Sequence, residues 1–243
     1  MSRIHQRWPV SLAAALLAAG VTIEASAQVP RAPGTQATPP AQAAPSQSRD
    51  QWQRVADILS ALAIDTGSRV ADIGAGGGFY TERLAKRVGP QGRVFAVDVD
   101  EQAVERLEQL VAAQSLRNVE LILGKPDDPR LPYRSLDAAL IVNAYHEMVR
   151  HSEMLREIYG ALKPGGRLVI LDNPPHDKTT PRYRQVEGHQ IDIELVAAEL
   201  RDAGFEVVSR DDEFASHNQH GNVHRNWLLV ARRPEGTRSI RRI

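Results

Sequence analysis

Residues 70–85 read VADIGAGGGFYTERLA, from Val70 to Ala85. A short apolar strand, Arg69–Ile73, runs straight into the turn Gly74-Ala75-Gly76-Gly77-Gly78. A helix follows over Phe79–Val88 and ends at Gly89-Pro90, a pair that stops helices. Glycines in such a turn let a ligand approach the backbone closely, and the helix N-terminus favours the ligand's negative end. Asp72 stands two residues before the first glycine, giving the pattern Asp-x-Gly-x-Gly-x-Gly. The dinucleotide fingerprint Gly-x-Gly-x-x-Gly needs a glycine at position 79, which is Phe79. This counts against a nicotinamide oxidoreductase.

A second strand, Arg93–Asp98, closes on another acid, and Asp98 lies 20 residues past Gly78. An acid after a second strand is what gripping a diol requires. The glycine spacing together with Asp98 resembles the class I S-adenosylmethionine-dependent methyltransferases, over residues 51–233. The resemblance implies an α/β fold: a Rossmann-like, seven-stranded, mostly parallel sheet with helices on both faces and a C-terminal antiparallel hairpin. It implies that Gly74, Gly76 and Gly78 cradle S-adenosyl-L-methionine. Asp72 would order the loop and the methionine end, and Asp98 would hold the ribose hydroxyls. In the family an acid just after the third strand commonly accepts the adenine amino group. The usual position is Lys125 here, a departure, which leaves Asp127 or Asp128, with Asp127 preferred.

The remaining elements fit that plan. Further strands are expected over Val119–Leu123, 137–143, 167–172, 205–209 and 227–231. The fifth follows the turn Lys163-Pro164-Gly165-Gly166. Helices are expected to alternate with the first five strands. Val104, Leu107, Leu110 and Val111 give one its apolar stripe, with Asp100 as cap. Leu155, Ile158 and Leu162 give the next, capped by Ser152, and Asp192 caps the helix that stops at Gly204. Alternation of this kind builds a parallel sheet covered on both faces. No helix fits between the last two strands, so they pair as a hairpin. Residues 52–62 read as an amphipathic helix ahead of the first strand, which in the family often covers the cofactor.

Methyl transfer from a sulfonium is an in-line displacement, so positioning is the main demand on the enzyme. A general base is required only where the acceptor must lose a proton. The loop after the fourth strand, Asn143-Ala144-Tyr145-His146-Glu147, lies where open parallel sheets bind ligands. Asn143 is assigned to the cofactor. His146 is the leading base because imidazole titrates near neutrality, with Tyr145 and Glu147 behind it. His189 is a further candidate for the acceptor pocket. Asn173-Pro174-Pro175-His176 resembles a DNA amino-methyltransferase motif, but follows the fifth strand rather than the fourth. Asp172-Asn173 resembles part of the magnesium site of catechol-type O-methyltransferases, but Asn143 stands where those have an acid. No metal is expected there, nor at His217, His220 and His224, which read as a solvated hairpin loop.

Residues 1–27 read as a cleaved secretory leader: Arg3 and Arg7, an apolar run over 10–21, then Ala25-Ser26-Ala27. Residues 28–49, rich in Pro, Ala, Gln and Ser, read as a flexible tether. The main domain is expected over 50–233, with a short basic tail, 234–243. Localisation is therefore expected to be periplasmic or secreted, with no stable membrane span after cleavage. With no cysteine, disulfides and thiolate metal sites are excluded. The 30 Lys and Arg balance 30 Asp and Glu, so no basic excess points to a nucleic-acid partner. The expected activity is methyl transfer to a small-molecule acceptor. Export conflicts with it, because the donor is a charged cytosolic metabolite. The alternative is an exported, non-catalytic nucleoside-type or S-adenosylmethionine-binding protein that keeps the fold.

Overall fold

A computed structural model describes residues 48–219 and 222–236. The expected leader, nearly all of the tether, His220 and residues 237–243 of the basic tail lie outside the described residues. Seven strands form one sheet: β1 (Arg69–Ile73), β2 (Arg93–Asp98), β3 (Val119–Leu123), β4 (Leu136–Val142), β5 (Leu162–Asp172), β6 (Glu206–Gln219) and β7 (Asn222–Arg232). Their order is β3-β2-β1-β4-β5-β7-β6. The first five pair in parallel, while β7 runs antiparallel to both β5 and β6. The order reverses between β1 and β4, and such a switch point opens a crevice at the C-terminal strand ends.

The helices are α1 (Arg49–Trp52), α2 (Val55–Ala61), α3 (Phe79–Val88), α4 (Glu101–Ala113), α5 (His151–Ala161), α6 (Arg182–Glu187) and α7 (Ile193–Asp202). Both sheet faces are covered. On one, Leu155 and Ile158 of α5 and Val196 and Leu200 of α7 share a core with Ile170 and Trp227. On the other, Ile58 of α2 and Leu84 and Val88 of α3 join Val70, Val94 and Leu140. The central strands are apolar on both sides, as parallel strands between two helical layers must be.

Several expectations need correction. The single helix over 52–62 is two, because Arg54 takes left-handed backbone (φ 52°) between α1 and α2. There Arg54 Nη1 donates to the Phe214 carbonyl, and the guanidinium lies over the Phe214 ring. No helix links β3 to β4 among the described residues; the connection is a loop holding Lys125 and Asp128 in a tight turn. Asp100 and Asp192 cap as expected, by accepting from Gln102 and Glu194 N–H. Ser152 does not cap: α5 starts at His151, two residues earlier than a Ser152 cap would place it, with Arg150 at the N-cap position. Lys163–Gly166 is a bulge inside β5 rather than a turn before it, since Leu162 pairs Leu136 while Arg167 pairs Ala138. The hairpin strands run well past their expected ends, and α6 was not expected. Among the described residues, no helix is long and apolar enough to cross a membrane.

Asn118, before β3, ties down the end of α3: its Nδ2 donates to the carbonyls of Ala85 and Gly89, each at 2.8 Å. Asn118→Ala leaves both carbonyls without this donor. It should cost about 1–2 kcal/mol of stability, read by denaturant unfolding with unchanged m-value.

Candidate functional site

The glycine turn leaves β1 with three residues in left-handed backbone, Gly74 (φ 73°), Gly76 (φ 54°) and Gly78 (φ 80°). Two of them are also pressed by neighbours. A Cβ on Gly74 would lie 2.5 Å from the Ala144 Cβ, and one on Gly78 2.3 Å from a Leu110 methyl. Gly76 and Gly77 differ: a Cβ on either meets nothing within 4 Å. That stretch of backbone is open to a ligand.

Asp98, at the end of β2, grips the turn. Its Oδ2 accepts from Gly76 N–H at 2.8 Å, and its Oδ1 from Asp100 N–H at 3.0 Å. The carboxylate is only half-buried and keeps lone pairs for hydroxyl donors. Asp72 is buried below it and accepts from the Thr81 hydroxyl at 2.6 Å. Burial, with a smaller push from the Asp98 charge, raises the Asp72 pKa to about 6; the Thr81 hydrogen bond opposes this.

Helix α1 covers the start of α3. The Phe79 ring lies between two guanidiniums, Arg49 at 3.9 Å and Arg83 at 3.6 Å. Arg83 also holds Asp50 through two hydrogen bonds of 2.6 and 2.7 Å. Gln53, fully buried, accepts from the Tyr80 hydroxyl, and its Nε2 has no partner.

Across the switch point, the loop after β4 carries a buried pair. His146 Nδ1 lies 2.8 Å from Asp172 Oδ1, and His146 N–H donates to Asp172 Oδ2 at 3.1 Å. The exposure of these residues is 3% and 0%. An ionised carboxylate only accepts, so Nδ1 carries the proton and Nε2 keeps its lone pair. Burial pulls the His146 pKa down, but the hydrogen bond and charge of Asp172, with Glu147, outweigh it; the net direction is up. Tyr145 points into the core, and its hydroxyl donates to Glu199 at 2.6 Å. Burial, reinforced by the Glu199 charge, pushes its pKa far above the phenol range. Glu147 is exposed, 3.6 Å from His146 Nε2.

Asn143, in left-handed backbone (φ 50°), joins a cluster at the ends of β4, β5 and β7. Asn226 Nδ2 donates to Asn143 Oδ1 at 3.1 Å and to Asn173 Oδ1 at 2.9 Å. Beside it lies a cavity of about 750 Å³, lined by Asn173, Pro174, His176, His189, His224 and Arg225 among others. The structure thus brings Gly74, Gly76, Gly78, Asp72 and Asp98 together, and His146, Asn143 and His189 together. Gly74 against Ala144 joins the two groups. Asp127, in the loop after β3, is ion-paired with Arg150. Asp172 is a site residue that sequence reasoning took only as part of a metal motif. Its signal was an acid closing an apolar strand.

Comparison with known proteins agrees with this geometry. Residues 70–166 match the family model of a methyltransferase domain. A solved S-adenosylmethionine-dependent methyltransferase from Aquifex aeolicus superposes with a TM-score of 0.64 and 26% identity, over 76% of this chain and 92% of that one. Residues 70–166 thus form a methyltransferase domain, and the chain has the fold of the class I S-adenosylmethionine-dependent methyltransferases. The demethylmenaquinone methyltransferase of Listeria monocytogenes is 28% identical over 136 residues, 56% of each chain. The chain therefore spans little more than half the length of such curated relatives. The [4+2]-cyclase SpnF shares the fold, with a TM-score of 0.63 and 21% identity over 75% of this chain and 82% of that one. The residues present fit the family's cofactor: open glycine backbone at Gly76 and Gly77, beside a carboxylate with free lone pairs at Asp98.

The buried Asp72 gives a pH signature. With its pKa raised from 3.8 to about 6, the folded state keeps a proton that the unfolded state loses between those values. Stability from this group falls as pH rises through the window, by up to about 3 kcal/mol. Asp72→Asn should flatten that slope in urea unfolding between about pH 4 and pH 6. An unchanged slope would remove Asp72 as its source.

Proposed function

We propose that the protein is an S-adenosylmethionine-dependent methyltransferase acting on a small molecule whose methylated atom gives up a proton to His146. The observation that carries this reading is the contact of Gly74 with Ala144, which places the Asp98-bound glycine turn against the loop that presents His146. Backbone at Gly74, Gly76 and Gly78 would hold the cofactor, Asp98 its ribose diol, Asn143 its reacting end and Asp127 its adenine. When bound, the cofactor supplies an electrophilic methyl group on a sulfonium. Asp72 and Thr81 hold the turn from below.

His146 does the proton chemistry. Asp172 fixes its tautomer, aims Nε2 outward and stabilises the imidazolium that forms when Nε2 accepts the acceptor's proton. Tyr145 anchors the loop in the core through Glu199, and Glu147 flanks Nε2 as a second carboxylate. Relatives named as demethylmenaquinone methyltransferases make demethylmenaquinone the first acceptor to try. The balanced charge favours a small acceptor over nucleic acid.

A second reading rests on residues 1–27. Their leader-like composition supports export, and an exported chain without a donor supply would bind nucleoside ligands without turnover. A reporter fused to the C-terminus decides the compartment: reporter activity outside the cytosol supports export, and a cytosolic pool of full-length protein removes it.

Calorimetric titration with S-adenosylmethionine and its demethylated product tests the leading reading. Binding should be saturable, and Asp98→Ala should lose most of it. No binding by the parent chain would overturn the methyltransferase reading. His146→Gln should bind the cofactor normally while turnover falls by about 10²–10⁴. Unchanged turnover would remove His146 as the base.

A further inference from the structure

The corner formed by His146, Glu147 and His189 brings more donor atoms together than proton abstraction uses. His146 Nε2 lies 3.6 Å from Glu147 Oε1, and His189 Nδ1 lies 3.8 Å from the same oxygen. One atom from each residue falls within 4.8 Å of the other two. These separations exceed a hydrogen bond, so the three groups converge without bonding one another. Ligands of a tetrahedral zinc sit about 2.0–2.1 Å from the metal and hence about 3.3 Å from each other. The two ion-pair separations are within a few tenths of an ångström of that. The Glu147 and His189 side chains, 65% and 75% exposed, are free to close the remainder.

The third ligand is held rigidly. His146 gives Nδ1–H to the buried Asp172, the outer-shell arrangement that fixes a ligating histidine's tautomer and raises its basicity. His189 stands on left-handed backbone (φ 53°), uncommon outside glycine. Its N–H bonds the Val186 carbonyl, and its own carbonyl accepts from Asn173 Nδ2 at 3.3 Å. Its ring lies edge-on to His146 at 5.5 Å and also lines the 750 Å³ cavity.

We propose that His146 Nε2, the Glu147 carboxylate and His189 Nδ1 form a three-ligand site for a borderline divalent cation of the zinc class, with its fourth position open beside the cavity. Two imidazoles and one carboxylate suit such a cation, whereas magnesium wants six oxygens in an octahedron. The cation uses the same Nε2 lone pair that would accept a proton. Metal occupancy and base action at His146 therefore exclude each other, and bound zinc holds the acceptor side in an inactive form.

The test is metal titration of the full chain carrying no affinity tag, with Zn²⁺, Co²⁺ and Mg²⁺ alone. One equivalent of Zn²⁺ should bind, Co²⁺ should give the intense visible absorption of a tetrahedral site, and Mg²⁺ should not compete. Glu147→Gln and His189→Ala should each weaken zinc by about tenfold or more, and Asp172→Asn by about 10–100-fold. Glu147 and His189 are exposed, so their replacement leaves the core untouched. The double variant His217→Ala/His224→Ala should bind zinc like the parent. Absence of stoichiometric binding, parent-like binding by Glu147→Gln or His189→Ala, or loss of binding in the hairpin variant would each overturn the site. Cofactor titration in the absence of metal reports separately on the methyltransferase reading.

Discussion

The missing Cβ of Gly74 is the constraint on which the site depends. The turn after β1 and the loop after β4 meet there at a separation no side chain allows, 2.5 Å between a built Cβ and the Ala144 methyl carbon. Because the strand order reverses between β1 and β4, the two loops diverge from adjacent strands and would otherwise leave a gap. Their contact closes that gap, setting the turn held by Asp98 against the loop that carries His146. The left-handed backbone at Gly74 is thus a packing requirement as well as a conformational one. The same holds for Gly78, pressed by Leu110 and Leu107 of α4, whereas Gly76 and Gly77 face open space.

Three aspartates stand at or next to the ends of three strands, each in a different environment. Asp72 is buried with one hydroxyl donor, so its charged form is disfavoured and it titrates near 6. Asp98 receives two backbone N–H groups at a half-buried position. Asp172 is as buried as Asp72, but it has the N–H of Asn173, the N–H of His146 and the His146 ring. A buried carboxylate with that many donors orients a base rather than acting as one. One residue type near three strand ends thus meets a hydroxyl, two backbone N–H groups and an imidazole.

The elements around the cofactor turn were legible because their signals are local. Arg69–Ile73, Phe79–Val88, Arg93–Asp98 and Glu101–Ala113 depend on apolar runs, glycine and a capping Asp100, all within a few residues of one another. Features set by distant partners were not legible. The break at Arg54 is held by Phe214, 160 residues away, and nothing in the apolar periodicity of 52–62 marks it. The length of β6 and β7 comes from pairing with each other across polar residues such as Ser216 and Arg225, which carry no strand pattern. The absent helix before β4 left Lys125 to Asp128 in a turn, and Asp127 found Arg150 there. Asp172 and His146 are 26 residues apart, and only the fold makes them a pair.

The two halves of the site differ in exposure, and that difference explains why the sequence speaks clearly about one substrate and not the other. The cofactor half is built from backbone geometry, a buried acid and a half-buried one, with α1 packed on it through the Arg49, Phe79 and Arg83 contacts. Such constraints leave few residue choices and therefore a readable motif. The other half adjoins a cavity lined by the loop after β5, the loop between α6 and α7 and the start of β7, with Glu147 and His189 largely exposed. Exposed positions tolerate many residues, so their identities encode little that can be read in advance. A cyclase shares this fold, which shows that the scaffold does not fix the reaction. Beside that cavity, buried His146 meets the exposed Glu147 and His189, so this corner mixes one fixed side chain with two that are free to vary.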